Sequence, residues 1–190
     1  MSRRIEPKED MVKRILLATE ALIVKEGLQN LSMRNIAKEA GIASGTLYLY
    51  FKTKDNLLHC LAAQLLNCYN SYIDFDFKPE IELFNQYQEL VRKKWLFLTE
   101  RLELVKQFQA VIGIDELIRE TIAAEDSFWN KLVFEGKKQQ LIVDLPNELL
   151  YALSIGTLVD MKYLQRFRQD INFETYLNEI TLRTWKAITF

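Results

Sequence analysis

The chain is poor in the residues that punctuate and cross-link a protein. Six Gly and three Pro in 190 residues are too few for a turn-rich β-sandwich, a collagen-like repeat or a low-complexity linker. Two Cys and one His exclude a disulfide-stapled secreted scaffold, a Cys-type zinc site and a His-cluster metal site. The best apolar run, Ile15 to Val24, is broken by Glu20 and falls well short of the roughly 20 residues a membrane span needs. The opening Ser2-Arg3-Arg4-Ile5-Glu6-Pro7 leads into Lys8-Glu9-Asp10, with no apolar leader segment close behind. A cytoplasmic location with reduced thiols is therefore expected, with no membrane partner, no metal and no cofactor.

What is present is ordinary globular material, 49% apolar and 27% charged, long enough for a small domain joined to a larger one. The net charge of −1 hides a split. Residues 1–60 carry 10 Lys+Arg against 7 Asp+Glu, whereas residues 61–190 carry 15 against 19. A basic excess in the first third makes a nucleic-acid contact local to that part. Three aromatics lie in residues 1–60 and nineteen in the rest, so two kinds of structure are being built.

Helical periodicity dominates, and no stretch alternates with period 2. The pattern predicts a helix over 8–26 ended by Gly27. A short helix follows, N-capped by Ser32, with Met33, Ile36, Ala37 and Ala40 on its apolar face and Gly41 as its stop. A second short helix spans about 43–51 with Leu47 and Phe51 inward. Thr53 caps a long helix to 73 that buries Leu58, Leu61, Leu65, Cys68 and Tyr72. After a loop at 74–79, helices are expected over 79–99, 101–112, 115–140, 146–168 and 173–189, with Gly113, Asp144-Leu145-Pro146 and Asp170-Ile171-Asn172 as breaks.

The segment from Ser32 to Lys54 carries the chemistry. Two short helices joined by a tight turn, with small Ala37 at their crossing, Gly41 turning the chain and Ile42 between them, form a helix-turn-helix. The second helix then presents Ser44, Gly45, Thr46, Tyr48 and Tyr50. Small residues at its start allow close approach to DNA. Thr46 offers a hydroxyl and a methyl to base edges. Tyr48 and Tyr50 can donate to phosphates, and Arg34, Lys52 and Lys54 supply counter-charge. The bland alternative is a structural helical hairpin, in which Tyr48 is partly core and Arg34 and Lys38 are solvated charges; for Lys38 that reading is the simpler one.

These residues resemble the DNA-binding signature of TetR/AcrR-type transcriptional regulators. The matches are Arg34, Ile36-Ala37, Ala40-Gly41, Gly45-Thr46-Leu47-Tyr48, Tyr50-Phe51, Lys54-Asp55 and Leu57, with the spacing intact. Ser32 stands for the usual Thr, Ala43 for a common Ser, and Tyr50 for His. The resemblance covers about residues 8–60. It implies an all-α homodimer with an N-terminal three-helix DNA-binding domain, residues 1–55, and a larger C-terminal ligand-binding and dimerisation domain, residues 56–190. The implied partners are a pseudo-palindromic double-stranded DNA operator, a second copy of the chain and a small-molecule effector.

In the larger domain, Phe84, Tyr87, Val91, Trp95 and Leu98 share one helical stripe and Leu83, Leu90 and Phe97 another, which is first of all a core pattern. An effector pocket lined by Phe84, Tyr87, Trp95, Phe108, Phe128 and Trp129 follows mainly from the resemblance. Few fixed charges fall on those stripes, so the expected effector is lipophilic or aromatic, and a cation could stack on Trp or Tyr faces. Pairing is expected through helices 146–168 and 173–189, using Leu149, Leu153, Gly156, Val159, Tyr163, Tyr176, Ile180 and Trp185, with Gly156 equally able to serve packing within one chain. His59 and Cys60 read as packing or surface, and Cys60 and Cys68 as small buried apolar groups. No Ser/His/Asp set, metal spacing or phosphate loop is found. A helical enzyme or carrier with a vestigial helix-turn-helix, or an architectural dimer without an effector, are the rival readings.

Overall fold

A computed structural model describes residues 7–73, 75–108 and 126–190. Its described helices are α1 (Lys8–Glu26), α2 (Met33–Glu39), α3 (Ser44–Tyr50), α4 (Lys54–Ile73), α5 (Leu83–Phe108), α6 (Phe128–Lys138), α7 (Asn147–Leu153), α8 (Leu158–Leu164) and α9 (Leu177–Lys186). Among the described residues, β pairing amounts to one antiparallel bridge between Ile142 and Thr189. The fold is all-α, as expected. None of the described helices is long and apolar enough to cross a membrane. The chain forms two compact units, Met1–Leu66 with Glu103–Val111, and Asn67–Leu102 with Ile112–Phe190.

In the first unit, α1 has the predicted ends. Glu9 and Asp10 sit in its first turn and Lys25 in its last, matching the helix dipole. It buries Ile15, Leu16, Ala18, Leu22 and Ile23. Leu28, Leu31, Ile36, Ala37, Leu47, Phe51, Leu57 and Leu61 complete the core around it. Leu104 and Phe108, at the end of α5, are buried in the same unit. There the Gln107 side chain accepts a hydrogen bond from the Leu28 amide at 3.2 Å.

The second unit departs from the predicted segmentation at several places. The helices expected over 79–99 and 101–112 are one continuous α5 as far as Phe108, because no Gly or Pro interrupts residues 83–108. That helix starts at Leu83 rather than 79. The buried Gln86 side chain instead ties the preceding loop, donating to the Lys78 and Ile81 carbonyls and accepting from the Lys78 amide. The helix expected over 115–140 is described from Phe128, where the Ser127 hydroxyl caps the Asn130 amide at 3.2 Å; Gly113 lies outside the described residues. The helix expected over 146–168 breaks at Ser154. Its hydroxyl donates to the Leu150 carbonyl, its backbone leaves the helical region at φ −120 and ψ −106, and a 3-10 turn over Ile155–Thr157 precedes α8. A side chain bonding its own helix backbone competes with continuation of that helix.

Two glycines in this unit are there for close approach. A Cβ on Gly156 would press on the Tyr151 carbonyl at 2.9 Å, so Gly156 serves packing inside the chain. A Cβ on Gly136 would overlap the Ile142 side chain, which seats the bridge to Thr189. Gly136→Ala should therefore destabilise the protein by about 1–3 kcal/mol through overpacking, read as a lower Tm. Combined with Ile142→Ala, the loss should be smaller than the sum of the two single losses; strict additivity would contradict the contact.

Candidate nucleic-acid interface

The helix-turn-helix is fixed by local chemistry at each joint. Ser32 caps α2 by accepting from the Asn35 amide at 3.2 Å. At its far end, the Gly41 amide donates to the Lys38 carbonyl at 3.1 Å and the Ile42 amide to the Ala37 carbonyl at 2.9 Å. Gly41 has φ +66. This bond pair with a left-handed residue is the Schellman stop, which favours glycine. The chain then re-enters a helix at Ser44 without a side-chain cap from Ala43. Thr53 caps α4 by accepting from the Asn56 amide at 3.0 Å.

The interior face of α3 is settled by Leu47, fully buried, and Phe51, nearly so. Helical geometry then turns the opposite face outward. Ser44, Gly45 and Tyr48 are exposed there, and so is Lys52 just beyond the helix. Thr46 and Tyr50 are half-buried at its flanks. Arg34 is exposed on α2. Lys54 is half-buried, with its ammonium donating to the Leu31 carbonyl at 3.4 Å. A Cβ on Gly45 would meet nothing within 4 Å, so no protein contact explains the missing side chain. Sequence reasoning passed over Leu49, which is 74% exposed. Its spacing four residues after Gly45 puts it on the outward stripe.

Of the six aromatic residues expected to line one pocket, five belong to the second unit. Phe108 lies in the first unit. Phe84 and Tyr87 pack on Trp185, with centroids 5.8 and 5.0 Å away, and the Tyr87 hydroxyl donates to Thr184 at 2.7 Å. Burial holds the Tyr87 phenol well above its ordinary pKa, so it is a neutral donor. Trp95 donates its indole N–H to Glu174 at 2.6 Å. Phe128 stacks on Phe75 at 3.9 Å, and Trp129 meets Tyr151 edge-on at 5.8 Å. An open groove of about 540 Å³ lies in the first unit, lined by Lys8, Glu9, Val12, Lys13, Leu16 and Gln64.

Of the expected dimer residues, Leu149, Leu153 and Tyr176 are exposed, and Gly156, Tyr163 and Ile180 are half-buried. Val159 and Trp185 are spent in the core of their own unit. The break at Ser154 prevents Leu149 and Val159 from sharing one continuous helix face. Cys60 is exposed and Cys68 half-buried, so the reading of both as buried groups fails. His59 is exposed, its ring 2.8 Å from the Asp55 carbonyl.

Residues 15–61 match the family described as "Bacterial regulatory proteins, tetR family". Residues 82–189 match "Tetracyclin repressor-like, C-terminal domain". An HTH-type transcriptional regulator of Haemophilus influenzae is 30% identical over 96% of this chain and 98% of its own length. The crystal structure of a TetR-family transcriptional regulator from the same organism aligns with a TM-score of 0.81 at 30% identity, covering 99% of this chain and 100% of that one. A fatty acid metabolism regulator protein of Bacillus subtilis is 24% identical, covering 84% of this chain and 90% of the relative. With both parts of the sequence matched and the helix-turn-helix geometry present, the chain belongs to the TetR family: it is a transcriptional regulator with a DNA-binding helix-turn-helix, and not an enzyme.

Proposed function

We propose that two copies pair into a homodimeric repressor, which holds a pseudo-palindromic operator until a small lipophilic or aromatic ligand releases it. Residues 1–55 would read DNA, and residues 56–190 would bind the effector and the second copy. The observation that carries the DNA reading is the face of α3. Its back is locked by Leu47 and Phe51, and its front offers small Ser44 and Gly45 beside Tyr48 and Lys52.

In this reading Gly45 lets the α3 backbone come close to the duplex. Tyr48, Tyr50, Lys52, Lys54 and Arg34 contact phosphates and set register, and Thr46, with Leu49 beside it, meets base edges. Two such helices about one turn of DNA apart require a symmetric operator. Exposed Leu149, Leu153 and Tyr176 are the surface offered to the second copy. The fatty acid metabolism regulator among the relatives supports a lipophilic effector. α4 and α5 each contribute residues to both units, and a coupling of about 1–3 kcal/mol along them would change operator affinity about 5–150-fold.

The operator is obtained by selecting from a random duplex library with the full-length protein, and affinities are then read by fluorescence anisotropy. The selected sites should be pseudo-palindromes. Tyr48→Phe and Lys52→Ala should weaken binding to all sequences, Lys52→Ala also lowering the salt slope by about 1, while Thr46→Ala should alter base preference. Failure to retain any duplex at low salt would sink the proposal.

Gly45→Ala separates a binding role from a structural one. It should stabilise the free protein by about 0.5–1 kcal/mol through helix propensity, yet weaken operator binding. Unchanged affinity would remove Gly45 from the interface. Leu153→Glu should shift the protein to monomer in sedimentation and lower operator affinity. A stable dimer in that variant would place the pairing surface elsewhere.

A further inference from the structure

The second unit contains two buried lysines, Lys94 and Lys162, and they are treated differently. Lys162 has its ammonium 4.3 Å above the Trp95 ring and 3.3 Å from the Glu174 carboxylate. The same Glu174 oxygen accepts the Trp95 indole N–H at 2.6 Å. A lysine, an indole N–H and an aromatic face are thus closed by one oxyanion that the chain itself supplies.

Lys94 repeats this arrangement without the oxyanion. It is 3% exposed on α5. Its ammonium donates to the Tyr151 hydroxyl at 2.7 Å and lies 4.5 Å from the Tyr151 ring and 6.0 Å from the Tyr69 ring. The ring faces attract the charge, but among the described residues one hydroxyl is the acceptor for an ammonium with three N–H donors. Among the described residues, the buried Trp129 indole N–H has no hydrogen-bond partner, and the buried Tyr69 hydroxyl makes no close hydrogen bond, having Tyr151 as its polar neighbour. Trp129 packs edge-on against Tyr151. Burial, reinforced by the neighbouring Tyr151, holds the Tyr69 phenol protonated, so it stays a donor. Three elements, α4, α5 and α6, therefore bring buried donor side chains to the surroundings of Tyr151. Buried polar groups in native proteins are nearly always paired, and a cluster left unpaired points to a ligand or a functional strain.

We propose that Lys94, Tyr69 and Trp129, with Tyr151 between them, form the head-group site for an acidic effector, a carboxylate or phosphate monoester carried on an apolar body. The oxyanion takes the Lys94 ammonium, the Tyr69 hydroxyl and the Trp129 N–H, as Glu174 takes Lys162 and Trp95. Phe97, its ring 5.2 Å from that of Tyr69, belongs to the apolar surroundings. This rests on reading the domain as effector-binding, and it reverses one expectation drawn from the sequence. The faces of Tyr69, Tyr151 and Trp95 already hold the chain's own lysines, so a cationic effector is disfavoured.

The test uses the full-length protein with sodium decanoate, decyl phosphate, decan-1-ol and decyltrimethylammonium, followed by thermal shift and tryptophan fluorescence. At least one anion should raise Tm and perturb the emission, and decanoate against decyl phosphate identifies which head group the site takes. The alcohol and the ammonium compound should bind at least about tenfold more weakly. Lys94→Met and Trp129→Phe should each weaken the anion about tenfold or more.

Tyr69→Phe guards against a misfolded Lys94 variant. It removes a buried hydroxyl that makes no close hydrogen bond, so the ligand-free protein should melt at a higher temperature while binding the anion more weakly. Equal binding of decan-1-ol, normal anion affinity in Lys94→Met, or binding of no probe at all overturns the head-group site. An anion that binds with the stated preference yet leaves operator affinity unchanged supports the site and overturns the induction reading alone.

Discussion

The regulator depends on the anchoring of one seven-residue helix. α3 is too short to be stable by itself, and its N-terminus has no side-chain cap. It persists because Leu47 and Phe51 are buried against its own unit and because the turn before it is set by backbone. The paired bonds from Gly41 and Ile42 fix the direction in which the chain leaves α2. Once those constraints hold, the outward stripe is determined by helical geometry alone. The side chains of that outward stripe can then be small, polar or even apolar, as Leu49 is, since none of them is needed to keep the helix in place.

The second unit solves a different electrostatic problem. Burying an ammonium without compensation is costly, and the two buried lysines show two degrees of compensation. For Lys162 the chain has placed Glu174 on the 3-10 turn before α9, within reach of both lysine and indole. For Lys94 the described residues offer aromatic faces and a hydroxyl. Attraction to ring faces is weaker than a charge-assisted hydrogen bond. A site that leaves its strongest donor partly satisfied gives up stability that a ligand can restore, and a binding protein can use that difference to report the ligand's presence.

Much of the first unit was legible in the sequence, for local reasons. The ends of α1, the Ser32 cap, the Gly41 stop, the inward Leu47 and Phe51 and the Thr53 cap are all decided within a few residues. The second unit was less legible because its decisions are made at a distance. The uninterrupted α5 could have been read from the lack of Gly and Pro between 83 and 108, but the break at Ser154 depends on a hydroxyl bonding back to Leu150. Trp185 was assigned to a surface and proves to be core, because Phe84 and Tyr87 reach it from α5. Lys94 gave a signal that went unread. It lies four residues after Leu90 and three before Phe97, on a stripe expected to carry few fixed charges.

The placement of Phe108 bears on how the two functions are joined. Expected to line a ligand pocket, it is buried with Leu104 in the unit that carries the helix-turn-helix, one residue after the Gln107 that accepts the Leu28 amide. Leu28 opens the short turn between α1 and α2, where an amide has no partner within its own helix. The C-terminal end of α5 is therefore both core and hydrogen-bond partner for the segment that leads into α2, while Lys94 lies on the same uninterrupted helix fourteen residues earlier. A helix transmits a shift along its axis with little loss, because its backbone bonds resist stretching far more than side-chain packing resists sliding. On the proposed reading, a ligand that draws Lys94 toward an oxyanion acts on the covalent continuation of a contact inside the DNA-binding unit. A net change of about one hydrogen bond, on the order of 1 kcal/mol, already lies within the range of coupling that regulation requires.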